Sequence, residues 1–211
     1  MMQTSKQRII VSDFDGTLTT TDSMFSILRY HRGIVWLAVT LLLMLPQLIL
    51  MKLGLYSNQR TKEFLLRRAF GSISRTEFHD LCQRFASANG HILRQSLFHK
   101  LQQEQERGTT VIVITASPEE WVSALVPMFR VVGTQMQYTT DDRYAGHFLT
   151  PNCYGPEKVA RLLQAVPDLA THRDRYHVTA YGDSRGDREL LEFADEGIWV
   201  KTPLSPPSRG K

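Results

Sequence analysis

Apolar positions along the chain follow two different rhythms. Ile9-Ile10-Val11 and Thr110-Val-Ile-Val-Ile-Thr115 are solid β-branched runs, and each stops abruptly on polar groups. Runs of this length and composition predict strands buried on both faces of a parallel sheet. Shorter runs at Val131–Gly133, His177–Tyr181 and Gly197–Lys201 predict further strands. The alternating stretch 136–149, broken at Asp141-Asp142, predicts a hairpin. Residues 22–107 read differently, with helical spacing throughout. Asp22-Ser23 caps a helix through Phe25 and Leu28, and Phe64, Leu65, Ala69 and Phe70 repeat at helical intervals. Ser74 with Glu77 has the spacing of a reciprocal capping pair. Asn89 is expected to open a helix through Leu93, Leu97 and Leu101, stopped by Gly108. Further helices are predicted from the Ser117 region to Pro127, over Pro156–Ala165, and over Arg185–Phe193. The expected fold class is therefore α/β, a parallel sheet with an all-helical excursion after its first strand. Residues 1–21 and 108–202 would form the core domain and 22–107 the helical insertion. The Pro-rich segment 203–211 reads as a disordered tail.

Composition narrows this only slightly. The chain has 211 residues, 42% of them apolar, enough for one domain with a sizeable core. Its formal charge of +4 suits an anionic substrate or an acidic membrane surface. No block of like charges marks a nucleic-acid partner. Cys82 and Cys153 share no metal-ligand spacing and read as buried thiols. The polar start Met-Met-Gln-Thr-Ser-Lys-Gln-Arg lacks the apolar centre of a signal peptide, so a reducing cytoplasmic setting is expected.

Candidate chemistry collects at the predicted strand ends. Asp13 and Asp15 follow the first strand, Thr115 ends the second, and Asp183 follows the strand through Tyr181. In a parallel sheet these ends share one edge. Lys158 opens a predicted helix, and Asp187 lies four residues beyond Asp183. Each has a plain structural reading alone, as a helix cap, strand end or solvated charge. Together they meet the needs of phosphoryl transfer. Asp13 can attack phosphorus, and Asp15 can protonate the leaving alkoxide and then activate water. Oxygen-only ligands from Asp13, a backbone carbonyl and Asp183 favour Mg²⁺. Lys158 and Thr115 can hold phosphoryl oxygens, and Gly16 allows close backbone approach.

Asp13-Phe-Asp15-Gly16-Thr17-Leu, then Ile114-Thr115-Ala-Ser, Lys158, and Gly182-Asp183-Ser-Arg-Gly-Asp187 resemble, in order, the four motifs of the haloacid dehalogenase-like (HAD) phosphatases. The resemblance spans residues 9 to about 200. It implies a Rossmann-like core, with the insertion as a C1-type cap like that of the phosphoserine phosphatase-like branch, subfamily IB. It further implies Asp13 as nucleophile and Asp15 as general acid/base. Mg²⁺ would be held by Asp13, the Asp15 carbonyl and Asp183, with Thr115 and Lys158 on the phosphate and Asp187 and Thr17 in support. Asp at position 15 implies phosphate ester hydrolysis rather than dehalogenation. Asp22 stands near a Glu that binds the substrate amine in phosphoserine phosphatases, and Arg60, Arg67 and Arg68 are candidates for a cap cation. The expected substrate is a small phosphorylated metabolite. A non-catalytic module of the same fold is the rival class, but a binding module needs no general acid.

Ile34–Met51 holds eighteen residues without a charge, long enough for a membrane span. A single crossing would put Asp13 and Asp183 on opposite sides, so the site itself excludes it. Two placements remain. Helices broken near Pro46 could be buried in the cap or in a homodimer. Alternatively, a hairpin could lie at a bilayer surface with Arg29, Arg32 and Lys52 at the headgroups. The latter resembles the phosphatidylglycerophosphatase C-like members of the superfamily, which act on a lipid phosphate.

Overall fold

The computed structural model describes residues 6–200. Strand β1 (Gln7–Ser12) lies at the centre of a five-stranded parallel sheet. The helical excursion follows as α1 (Ser23–Arg32), α2 (Ile34–Leu43), α3 (Leu45–Lys52), α4 (Asn58–Phe70) and α5 (Arg75–Asn89). The chain returns through α6 (Gln95–Glu106) to β2 (Thr110–Pro118), α7 (Glu119–Leu125) and β3 (Arg130–Thr134). An antiparallel hairpin, β4 (Met136–Tyr138) and β5 (Tyr144–Phe148), precedes α8 (Pro156–Ala165) and α9 (Pro167–Thr171). Last come β6 (Tyr176–Gly182), α10 (Arg188–Phe193) and β7 (Glu196–Trp199). The sheet order is β3-β2-β1-β6-β7.

Strand alternation splits the core in two. Ile9, Val11, Ile112, Ile114, Val178 and Ala180 face one side, against Leu162, Leu169, Leu190 and Leu191 of α8–α10. Ile10, Val111 and Val113 face the other, where the apolar cluster runs on without a break into Ile27, Leu66, Phe78 and Phe85 of the insertion. The two passages between sheet and insertion lie side by side: Thr19 bridges Leu93, and the Thr20 N–H donates to the Ile92 carbonyl at 2.9 Å. The return thus falls ahead of α6, which packs along β2. The hairpin docks on the insertion, with Ser74 bridging Arg143.

Three local expectations need revision. Asn89 closes α5 rather than opening a helix, and α6 starts at Gln95. The pairing of the two passages takes precedence there, because the Arg94 N–H goes to the Leu18 carbonyl at 2.8 Å. The last strand is described to Trp199; Lys201 and the tail 203–211 lie outside the described residues.

The third concerns residues 34–51. The break near Pro46 is present, at Met44, but the stretch is not buried within the chain. Helix α2 buries only Leu37 and Thr40, and α3 buries nothing. Val35 is 74% exposed, Leu42 68% and Leu53 66%. A helix apolar on every side can turn only one stripe toward its neighbours. No described helix is long and apolar enough to cross a membrane, although α1 and α2, turned 118° at Gly33, pass that test together as a bent pair.

Candidate active site

Strand register brings the singled-out residues to one edge. Ser12 pairs with Val113 on one side and Tyr181 on the other. Asp13 and Asp183 therefore leave the sheet, and Thr115 sits within β2, which runs on to Pro118 rather than ending at Thr115, all within two residues of a common line near the carboxyl edge. The Asp13 N–H donates to the Tyr181 carbonyl at 2.9 Å. Beyond it the chain makes one wide helical turn, Phe14–Leu18, kinked by Gly16 at φ +84°. A Cβ at position 16 would run into the Asp183 carboxylate, so only glycine fits. The Thr17 hydroxyl donates to Asp183 Oδ1 at 2.9 Å.

Lys158 enters from the first turn of α8, which Pro156 starts, and is 2% exposed. Its Nζ donates to Asp13 Oδ1 and Asp187 Oδ1, each at 2.5 Å. The other Asp187 oxygen accepts from the N–H groups of Asp183 and Ser184 and from the Ser184 hydroxyl, so Asp187 braces the loop that carries Asp183. Asp15 is held by two donors at 2.6 Å, the Ser23 N–H that opens α1 and the Ser117 hydroxyl just past Thr115. Thr115 is fully buried, its hydroxyl accepting from the Ser117 N–H.

Burial dominates the electrostatics. It pushes the Asp13 carboxyl up to about 7, although Lys158 pulls the other way. Asp183 is raised too, again chiefly by burial. For Lys158, burial alone would lower the ammonium, but the carboxylates of Asp13 and Asp187 outweigh it and hold it raised. Asp22, an exposed residue, caps α1 through the Phe25 N–H; partial desolvation of its carboxyl, followed by repulsion from Asp15, raises it to about 6.

The model of the haloacid dehalogenase-like hydrolases matches residues 10–192, which takes in every group just described. The chain belongs to this family. Protein CicA of Caulobacter vibrioides is 29% identical over 196 residues, covering 89% of this chain and 83% of that protein. A solved protein of unknown function from Bordetella pertussis Tohama I superposes with a TM-score of 0.75 at 19% identity, covering 90% of this chain and 88% of that one. Phosphoserine phosphatase in its apo form does so at 0.56 and 14%, covering 90% and 84%. These likenesses bear out the α/β fold with a parallel sheet core.

For a HAD-like hydrolase the donor set can be tested against a divalent cation. Carboxylate oxygens of Asp13, Asp183 and Asp187 lie within 4.8 Å of one another. Asp13 Oδ2 and Asp183 Oδ2 have no hydrogen-bond donor among the described residues, whereas both Asp187 oxygens are occupied. One buried and one half-buried carboxylate, each with an oxygen to spare, fit a small hard cation.

None of the candidate cap arginines makes a side-chain hydrogen bond or ion pair with Asp13, Asp15 or Asp183 among the described residues. Arg60, Arg67 and Arg68 are exposed. Lys62 reaches the site instead, donating to the Ala116 carbonyl at 3.0 Å and Asn152 Oδ1 at 3.3 Å. Burial lowers its ammonium, while Asp15 and Asp22 act to raise it. Its place in the sequence held a signal: Lys62, Leu66 and Ala69 share the inward stripe of α4. Ser117 stands in the second motif quoted from the sequence, but its bond to Asp15, 102 residues away, had no local signal.

Proposed function

We propose that this HAD-like hydrolase is a Mg²⁺-dependent phosphatase acting on a phosphate monoester of a small metabolite, through an aspartyl-phosphate intermediate. The observation that carries the reading is the division of labour between two neighbouring carboxylates. Asp13 lies among Lys158, Asp183 and Asp187, whereas Asp15 turns away to Ser23 and Ser117. Asp13 attacks phosphorus, and the P–O bond to the leaving alcohol breaks as Asp15 delivers its proton to the departing oxygen. Asp15, now a carboxylate, takes a proton from water, which attacks phospho-Asp13 and frees phosphate. Lys158 and Thr115 hold the phosphoryl oxygens, and Gly16 lets the backbone come close. Asp13, the Asp15 carbonyl and Asp183 would hold Mg²⁺, which when bound neutralises charge between carboxylate and phosphate. Asp187 and Thr17 keep Lys158 and Asp183 in place.

Residues 22–93 act in this reading as the cap over the core formed by 1–21 and 94–202, a narrower cap than the 22–107 expected from the sequence, because α6 packs along β2. Asp22 and Lys62 bring opposite charges to the leaving-group side, which suits an alcohol carrying both an amine and an acid, as phosphoserine does. The setting is cytoplasmic. p-Nitrophenyl phosphate hydrolysis with Mg²⁺ is expected for the wild type and lost in Asp13→Asn. Equal turnover in the variant would remove Asp13 from the reaction, and an inactive wild type would favour a binding module. A panel of phosphoamino acids, sugar phosphates and lipid phosphates then finds the alcohol.

The exposed face of α2 and α3 favours a second reading, a phosphatase working at an anionic membrane surface on a lipid phosphate. No acidic residue occurs between Asp22 and Glu63, while Arg29, Arg32 and Lys52 flank the apolar face. That charge pattern complements anionic headgroups, whereas a second copy would bring like charges together. Flotation with phosphatidylglycerol vesicles, but not with phosphatidylcholine vesicles, is the expected result. A dimer in solution that ignores both vesicle types would assign the face to a homodimer instead.

A further inference from the structure

We infer that Arg94, on the chain's return from the helical insertion, is a positioning residue that sets the turn between Asp15 and Asp183. Its guanidinium reaches back across the passage to two successive carbonyls: Nε donates to Thr17 O at 2.8 Å and Nη2 to Gly16 O at 3.0 Å. Its backbone N–H takes the next carbonyl, Leu18 O, at 2.8 Å. One residue thus binds three consecutive carbonyls of the wide turn that follows β1.

The consequence lies in the peptide planes. The Gly16–Thr17 and Thr17–Leu18 units flank Thr17, so fixing their carbonyls fixes the aim of its side chain. That side chain donates to Asp183 Oδ1. Gly16, whose carbonyl Arg94 also holds, rests against the same carboxylate and directly follows Asp15. Arg94 therefore acts on Asp183 through Thr17 and on Asp15 through Gly16, touching neither carboxylate. Among the described residues no carboxylate pairs with it, so its charge is spent on the carbonyls. A forked donor is required, since a lysine ammonium is a point charge that cannot present two N–H groups in that fixed plane.

Arg94 also stands where the insertion meets the sheet. Leu93 bridges Thr19, and Ile92 O accepts from the Thr20 N–H and hydroxyl. A shift of the insertion is thus carried to Gly16 and Thr17 through the residue that clamps them.

This inference rests on the phosphatase reading for its kinetic arm only. Arg94→Ala and Arg94→Lys are compared with wild type in p-nitrophenyl phosphate hydrolysis, Mg²⁺ titration, melting temperature and hydrogen exchange. In both variants kcat is expected to fall about 10- to 100-fold, the range typical of residues that orient metal ligands. KM stays within about twofold, half-maximal activity needs more Mg²⁺, and added guanidinium restores part of the Arg94→Ala rate. Without metal, exchange rises in peptides covering 14–19 and not in β6 or α8. Wild-type kcat, Mg²⁺ dependence and exchange in Arg94→Ala would overturn the proposal. So would a loss matched by lowered melting and raised exchange across the whole chain in both variants. If the wild type itself hydrolyses nothing, the phosphatase reading fails, and the exchange arm still decides the role of Arg94.

Discussion

Gly16 shows how little room the site leaves at the scale of one residue. It sits at φ +84°, and any β-carbon there meets the Asp183 carboxylate. Gly16→Ala therefore combines a left-handed backbone cost of about 1–2 kcal/mol with displacement of the carboxylate. We expect Gly16→Ala to fold with a lowered urea midpoint and to lose Mg²⁺-dependent turnover. Unchanged turnover would mean that the Asp183 position tolerates movement and that the close approach is incidental. Asp13, Gly16 and Asp183 were legible in the sequence because their signals are local: a strand end, then a glycine or a carboxylate. The roles of Ser117 and Arg94 were not, because each is set by a partner 102 or 77 residues away, and Lys62 showed only its inward position on α4 and not its partner 54 residues away.

Legibility varies in the same way from element to element. Helix α8 was readable to the residue, because Gly155-Pro156 sets its start and its apolar face is regular. The Ser74–Glu77 capping box formed as spaced. The stretch 34–51 defeated the same reading, because a segment apolar on all sides carries no period from which a buried face can be chosen. The structure chooses: Leu37 is 6% exposed, against 68% for Leu42 and 65% for Leu43. Leu37→Ala should thus cost about 2–5 kcal/mol in urea unfolding. The Leu42→Glu/Leu43→Glu pair should stay within about 0.5 kcal/mol of wild type per site while improving solubility. If the glutamates cost as much as Leu37→Ala, this face is covered in solution, and the dimer rather than the vesicle becomes its occupant.

Across the whole molecule, the groups that make the site also set how stability depends on pH. Burial raises Asp13 to about 7 and, away from the site on α7, Glu120 to about 7, and desolvation of the more exposed Asp22 raises it to about 6. All three stand above their unfolded values, so between about pH 4 and 7 the native state binds more protons than the unfolded chain. Without metal, stability is then greatest below about pH 4, as far as these groups decide it, and is lost as pH rises through about 7. A divalent cation held at Asp13 and Asp183, as proposed, would bind only the folded, deprotonated site and stabilise it by mass action. The rise in melting temperature on adding Mg²⁺ should therefore be small at pH 5 and grow toward pH 8. Asp13→Asn should melt above the metal-free wild type at pH 8 and respond little to Mg²⁺. Glu120→Gln should also gain stability at pH 8, since burial disfavours its charge and its Oε2 is buried without a partner, yet keep the full Mg²⁺ response. A Mg²⁺ shift equal at pH 5 and pH 8, or equal in wild type and Asp13→Asn, would place the cation away from this edge. Asp13, the buried carboxylate that holds the metal-free fold back at neutral pH, is the one the proposed phosphatase needs there, so function and stability are opposed through it.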